Sequence, residues 1–229
     1  MKVRNPNVQR IIDSHIREWF IREEQERPRP HKPLILISRQ RGVGGMEVAR
    51  RLSERLGWPY YGKNIIHEIA KALKTDSTRM EVLDEKDRSI LLEYTNVFAK
   101  DPDTSQEEYV LYLRRFIKKL GEIGGAIIVG RGANFVIPPE RGLRVRLVGR
   151  LKGWERYLKE KYGIPEGEAE RTLQEWDREQ REFIRRFFKE EIDDPHHYDM
   201  ILNMSTYGWE EVVELILEAY RRKFPQVSL

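Results

Sequence analysis

Residues 34–56, LILISRQRGVGGMEVARRLSERL, run as an unbroken apolar stretch, a glycine-rich turn and a segment whose apolar residues recur every three or four positions. That order confines the chain to folds in which a buried strand turns sharply into a helix. Such a turn aims several backbone N–H groups and the positive end of the helix dipole at one spot, where a phosphate can sit. Gly42, Gly44 and Gly45 supply the tight backbone. Set against the phosphate-loop pattern GxxxxGK[ST], the match is altered in a specific way. Arg39 stands at the first glycine, Gly45 at the lysine and Met46 at the magnesium-ligating hydroxyl. The anion cradle is kept, and its usual cation and metal hook are not.

Further short apolar runs at 58–61, 126–130, 145–148 and 200–203 alternate with helical or turn-like sequence. Together with 34–38 they predict an α/β fold with a parallel sheet and helices on both faces. Helices are expected over 106–121, over 165–191 and over 209–222, the last with Val212, Val213, Leu215, Ile216 and Ala219 for the core. The stretch between the second and third strands, including 84–100, reads as helical throughout and is too long for a simple crossover. Ligands of open α/β sheets bind beyond the carboxyl ends of the strands, where the turns at 42–45 and at Gly130-Arg131-Gly132 both emerge. The two turns are placed to share one ligand. Ahead of this body, 7–26 carries Val8, Ile11, Ile12, Ile16, Trp19 and Phe20 at helical spacing, followed by the proline-rich ERPRPHKP. This is an arm expected to pack on the body or on a second subunit, which makes a homodimer an open expectation.

With 229 residues, one domain plus an appendage is the economical division: an arm and connector at 1–32, then a body at 33–229. Charged residues make up 35% of the chain, yet 42 basic against 38 acidic side chains leave only +4, which does not point to nucleic acid. The absence of cysteine excludes disulfides, thiolate metal sites and a cysteine nucleophile, and suits an intracellular setting. No stretch reaches the roughly 20 apolar residues of a bilayer span. The cytoplasm is the expected location and no membrane partner is expected.

The loop, the GRG turn, the charged helix and the segment DPHHYDMILNMS read together resemble the cytidylate kinase-like family, a diverged branch of the nucleoside monophosphate kinases. ISRQRGVGGMEVARRLS is similar to that family's ISRxxGxGGxxVAxxLA, WPYYGKNIIHEIA to PFYDKxIIxxAA, and VGRGANFVI to VGRCADYxI. DREQREFIRRFF likewise resembles DxxRAxYYKxY, and DPHHYDMILNMSTYG resembles DPxxYDLxINTSxxG. The resemblance runs from 33 to about 220. Two positions depart from it: Gly62 and Asn134 each replace an acidic residue.

The resemblance implies a three-layer α/β sandwich with a five-stranded parallel sheet, a helical acceptor-binding insertion at about 63–124 and a lid at about 165–195. It implies transfer of the γ-phosphoryl group of ATP, with Mg²⁺, to a nucleoside monophosphate such as CMP or a related small phosphoacceptor. Arg39, Arg131, Arg178 and Arg181 then become the catalytic cations. Ser38, Arg41, Gly42, Val43, Gly44, Gly45, Met46 and Arg185 become the residues around the donor nucleotide, with Ser38 a candidate for the absent loop hydroxyl and Asp177 for orienting the lid arginines. Each residue also has a plain structural alternative. The glycines can serve close packing alone, and Arg178, Arg181 and Arg185 share one helical face with Glu175, Glu179 and Glu182, as on any solvated charged helix. Asp199 and Asn203 border the donor in the family but are ordinary turn residues elsewhere. His196-His197 lacks a third ligand at zinc spacing. Two functions of other classes compete: a nucleotide-binding regulator without catalysis, and an interaction protein using the basic helix and the arm.

Overall fold

The computed structural model describes residues 32–62, 106–150 and 154–227. The arm read at 7–26, the helix read at 84–100 and most of the expected insertion lie outside those residues. Five strands, β1 (Leu34–Arg39), β2 (Tyr60–Tyr61), β3 (Ile127–Val129), β4 (Gly142–Val148) and β5 (Met200–Asn203), form one parallel sheet in the order β2-β3-β1-β4-β5. Ile35 stands beside Ile127 on one side and Leu143 on the other, and Val145 beside Met200. The helices among the described residues are α1 (Gly45–Leu56), α2 (Gln106–Ile123), α3 (Trp154–Tyr162), α4 (Ala169–Phe188) and α5 (Trp209–Lys223).

The unbroken apolar run of β1 is explained by burial on both faces. Leu34 and Leu36 meet Leu113, Phe116, Ile117 and Leu120 of α2. Ile35 and Ile37 point the opposite way, into a cluster with Val48, Ala49 and Leu52 of α1 and Val212, Val213, Ile216 and Tyr220 of α5. This is the three-layer α/β arrangement, with helices on both faces of a parallel sheet. The helix ends follow ordinary chemistry. Gly57 closes α1 in the left-handed region at φ 67, its N–H donating to Ser53 O at 2.9 Å. Glu210 and Glu211 open α5 and Arg221, Arg222 and Lys223 close it, matching the dipole at both ends.

All the strands read from sequence are present, β5 at its expected bounds and the others with at least one end shifted. β2 is shorter than 58–61 because Trp58 turns into the core against Tyr220, and Pro59 has no N–H to give a ladder. β4 starts at Gly142, ahead of the expected 145, because Arg144 interrupts the apolar pattern without interrupting the strand. The segment read as one helix over 165–191 is a 3₁₀ turn at Glu166–Glu168 followed by α4, which Lys189 ends at φ 62. α3 has no counterpart in the sequence reading.

Candidate functional site

β1 leads into the turn through Gln40, whose N–H donates to Leu147 O at 3.0 Å. Gly42 and Gly44 then take φ 80 and φ 76, which only glycine adopts without strain, and α1 begins with no side-chain cap. Val43 is wholly buried and pins the turn to the core. Among the described residues no protein acceptor takes the N–H of Gly42, Val43, Gly44, Gly45 or Met46, whereas Glu47 N–H donates to Gly44 O at 2.9 Å. Successive unbonded amides at the positive end of a three-turn helix form a nest for an anion.

Arg39 ties this nest to the second turn. A Cβ on Gly45 would lie 3.1 Å from Arg39 Cγ, and one on Gly130 would lie 2.7 Å from Arg39 Nη1. Arg39 therefore fills the space where a lysine at 45 would begin, and its guanidinium ends at the GRG turn. Gly130, Arg131 and Gly132 all have positive φ, at 79, 59 and 68. For Arg131, which carries a Cβ, that backbone is strained. Among the described residues Arg131 forms no hydrogen bond, ion pair or ring contact. The sequence expectation that the two turns lie together is met, with Arg39 between them.

Helix α4 covers both turns with one face. Leu173 packs on Gly42, where an added Cβ would lie 3.1 Å from it. Asp177 Oδ1 accepts the N–H of Arg41 at 2.8 Å. Gln180, with its amide turned so that both ends are satisfied, donates to Arg39 O at 3.1 Å and accepts from Arg39 Nη1 at 3.2 Å. Phe188 lies over Gly132, where a Cβ would come within 2.7 Å of Cε2. Positions 173, 177, 180 and 188 are spaced to share a helical face. Aligned on Asp177, the family pattern DxxRA puts Gln180, and not Arg181, at its arginine.

The arginines of α4 differ sharply in their commitments. Arg178 is exposed and forms no hydrogen bond or ion pair among the described residues. Arg181 donates through Nε to Asp193 Oδ2 at 2.8 Å. Arg185 donates through Nε and Nη2 to both carboxylate oxygens of Glu191, at 2.8 and 2.9 Å, so one edge of its guanidinium is held bidentately by a neighbour. Asp177 does not orient Arg178 or Arg181 by a hydrogen bond; it caps a loop amide. Burial pushes its carboxyl above the usual range, against the pull of the Arg41 amide.

Ser38 is 4% exposed, and its hydroxyl receives Arg146 Nη1 at 2.8 Å and the Tyr198 hydroxyl at 3.3 Å. With its oxygen committed to a guanidinium, Ser38 does not stand in for a metal-ligating hydroxyl. Met46 offers none, and among the described residues no three His, Cys, Asp or Glu side chains gather as a metal site. The free amides of 42–46 thus fit the phosphates of ATP, and a Mg²⁺ at this site would be held chiefly by those phosphates and water. Asp199, ahead of β5, is a structural tie: its carboxylate pairs with Arg144 at 3.1 Å and with Lys223 at 2.6 Å. Asn203 closes its own turn by accepting Ser205 N–H at 2.9 Å. Arg146, Asp193, Gln180 and Tyr198 were not singled out from sequence. The one signal was an arginine amid the apolar VRLV of β4, a position whose charge needs a buried partner.

The model of the cytidylate kinase-like family matches residues 34–206. Cytidylate kinase of Methanopyrus kandleri is 24% identical over 196 residues, covering 81% of this chain and 92% of that protein. Uronate isomerase of Corynebacterium glutamicum is 26% identical over 102 residues, 44% of this chain, and the match spans only 20% of that enzyme's length. Among solved structures, an uncharacterized protein from Eubacterium ventriosum superposes with a TM-score of 0.60 at 19% identity, covering 82% of this chain and 98% of the other, a likeness of fold.

Proposed function

Because the chain belongs to the cytidylate kinase-like family, we propose that it moves the γ-phosphoryl group of ATP to a nucleoside monophosphate such as CMP, or to a related small phosphoacceptor. Family and fold support phosphotransfer in general; the acceptor is the finer step. The observation that carries the proposal is the run of unbonded amides from Gly42 to Met46, roofed by α4 and joined to the GRG turn by Arg39. In the reaction an acceptor phosphate oxygen attacks the γ phosphorus, the bond to the β–γ bridging oxygen breaks, and ADP leaves. Such chemistry needs little beyond in-line positioning and positive charge around the transferring group. The loop amides and Arg39 would hold the donor phosphates, and the guanidinium groups of Arg131, Arg178 and Arg181 would meet the charge on the γ and acceptor phosphates. The same reading makes 1–32 an arm, 33–229 the catalytic body, the cytoplasm its place of work and a homodimer its possible assembly.

A catalytically silent nucleotide-binding regulator is the second reading. It is favoured by Met46, which stands where the loop's hydroxyl would be, and by Asp177, whose carboxylate already holds a loop amide. ATP consumption measured across the nucleoside monophosphates, then across other small phosphoacceptors, separates the two. The kinase reading expects one acceptor to raise turnover far above the ATP-only rate. Saturable ATP binding with no stimulation by any acceptor would leave the regulator.

A further inference from the structure

Arg146 is 3% exposed in the middle of β4, and nothing in phosphotransfer requires it. It holds two groups at once: Nη1 donates to Ser38 at the end of β1 at 2.8 Å, and Nη2 donates to Asp193 Oδ1 at 2.6 Å. The second oxygen of Asp193 accepts Arg181 Nε at 2.8 Å. Burial raises the Asp193 carboxyl, but the hydrogen bonds and charges of Arg181 and Arg146 outweigh it and hold it ionised below the usual range. Because Arg181 is held through Nε alone, the N–H groups on its two Nη atoms have no partner among the described residues. A guanidinium gripped on that edge presents its other edge, two parallel donors, in a fixed plane. Arg181 lies one helical turn from Asp177, which bonds the phosphate loop. Arg185 is gripped through Nε and Nη2 by Glu191, a full helical turn farther from Asp177 than Arg181 is.

We propose that Arg146 and Asp193 are positioning residues: the buried arginine fixes the aspartate, and the aspartate fixes Arg181 so that its Nη pair meets a phosphate of the bound nucleotide. This rests on the reading of 42–46 as a phosphate cradle. The relay ties the lid helix to the root of the loop, since Ser38 immediately precedes Arg39.

The test is a double-mutant cycle on the full chain, with inorganic tripolyphosphate and ATP as titrants and phosphoryl transfer measured alongside. Arg181→Gln is expected to weaken tripolyphosphate about tenfold or more, the scale of a charge-assisted pair of hydrogen bonds. Asp193→Asn is expected to weaken it several-fold, Asp193→Glu to restore it, and Asp193→Asn to add nothing once Arg181 is already glutamine. Should Asp193→Asn not fold, Arg181→Lys replaces it: lysine keeps the ion pair with Asp193 but cannot give two parallel donors, so affinity should still fall. Asp193→Asn binding like wild type, losses that multiply in the double variant, or Arg181→Lys binding like wild type would overturn the proposal while the cradle stands. Wild-type protein that binds neither titrant removes the cradle and this relay together. A non-additive cycle without phosphoryl transfer supports the relay and refutes the kinase.

Discussion

Replacing Gly132 by alanine sets the docking of α4 on the GRG turn against a measurable loss of stability. Two costs combine there. At φ 68 a Cβ is itself unfavourable, by about 1–2 kcal/mol for an L-residue in the left-handed region. That Cβ would also fall within 2.7 Å of Phe188 Cε2 and 2.8 Å of Cε1. Real Cβ atoms do not approach so closely, so the ring or the helix must move, at about 1–3 kcal/mol for an overpacked site. The sum is about 2–5 kcal/mol, or roughly 4–20 °C in Tm for a domain of this size at about 2–4 °C per kcal/mol. Gly57→Ala is the matched control, because Gly57 has nearly the same φ, 67, with nothing within 4 Å of the added Cβ. It should lose only about 1–2 kcal/mol. Thermal and urea unfolding of both variants give the comparison. If Gly132→Ala lost no more than Gly57→Ala, Phe188 would not be seated on the turn, and the account of how α4 meets the two turns would fail.

Arg131→Gly should separate stability from activity: relief of the strained φ offsets glycine's unfolded-state entropy, leaving stability unchanged or up to about 1 kcal/mol higher, while phosphoryl transfer falls. A clear drop in Tm with full activity would contradict it. Glu47 gives the pH dependence. The Arg50 hydrogen bond, then that of Arg51, outweigh burial and hold its carboxyl at about 2 instead of 4.5. A depressed carboxylate stabilises the fold fully above its unfolded value, so this contribution should vanish as pH falls from about 4.5 towards about 2. Glu47→Gln should flatten the loss of Tm across that window, and an unchanged slope would show that the carboxylate is not held by Arg50 and Arg51.

Most of the fold was legible because its signals are local. The apolar runs of β1 and β3 and the glycines at 42, 44, 130 and 132 mark strands and turns through burial on two faces and through positive φ, and both leave their trace in residue type. What escaped depends on partners distant in sequence. Arg146 stands inside the expected strand with no partner legible from its neighbours; only the fold brings Ser38 and Asp193 to its guanidinium. Arg178, Arg181 and Arg185 looked equivalent on a helical face. Their separation into an unpaired, a singly held and a bidentately held guanidinium depends on Asp193 and Glu191, which lie beyond the helix end. Asp177 and Gln180 face the loop because they share a stripe with Leu173 and Phe188, and the abundance of charge around them hid that stripe.

The central claim concerns the backbone amides of 42–46, and they can be watched directly in ¹⁵N-labelled protein titrated with ATP. The account expects the Gly42, Val43, Gly44, Gly45 and Met46 amide signals to shift together along one saturation curve, with Arg39 and the face of α4 following. Saturation of ATP binding with those amides unmoved, and shifts confined to another part of the surface, would contradict it.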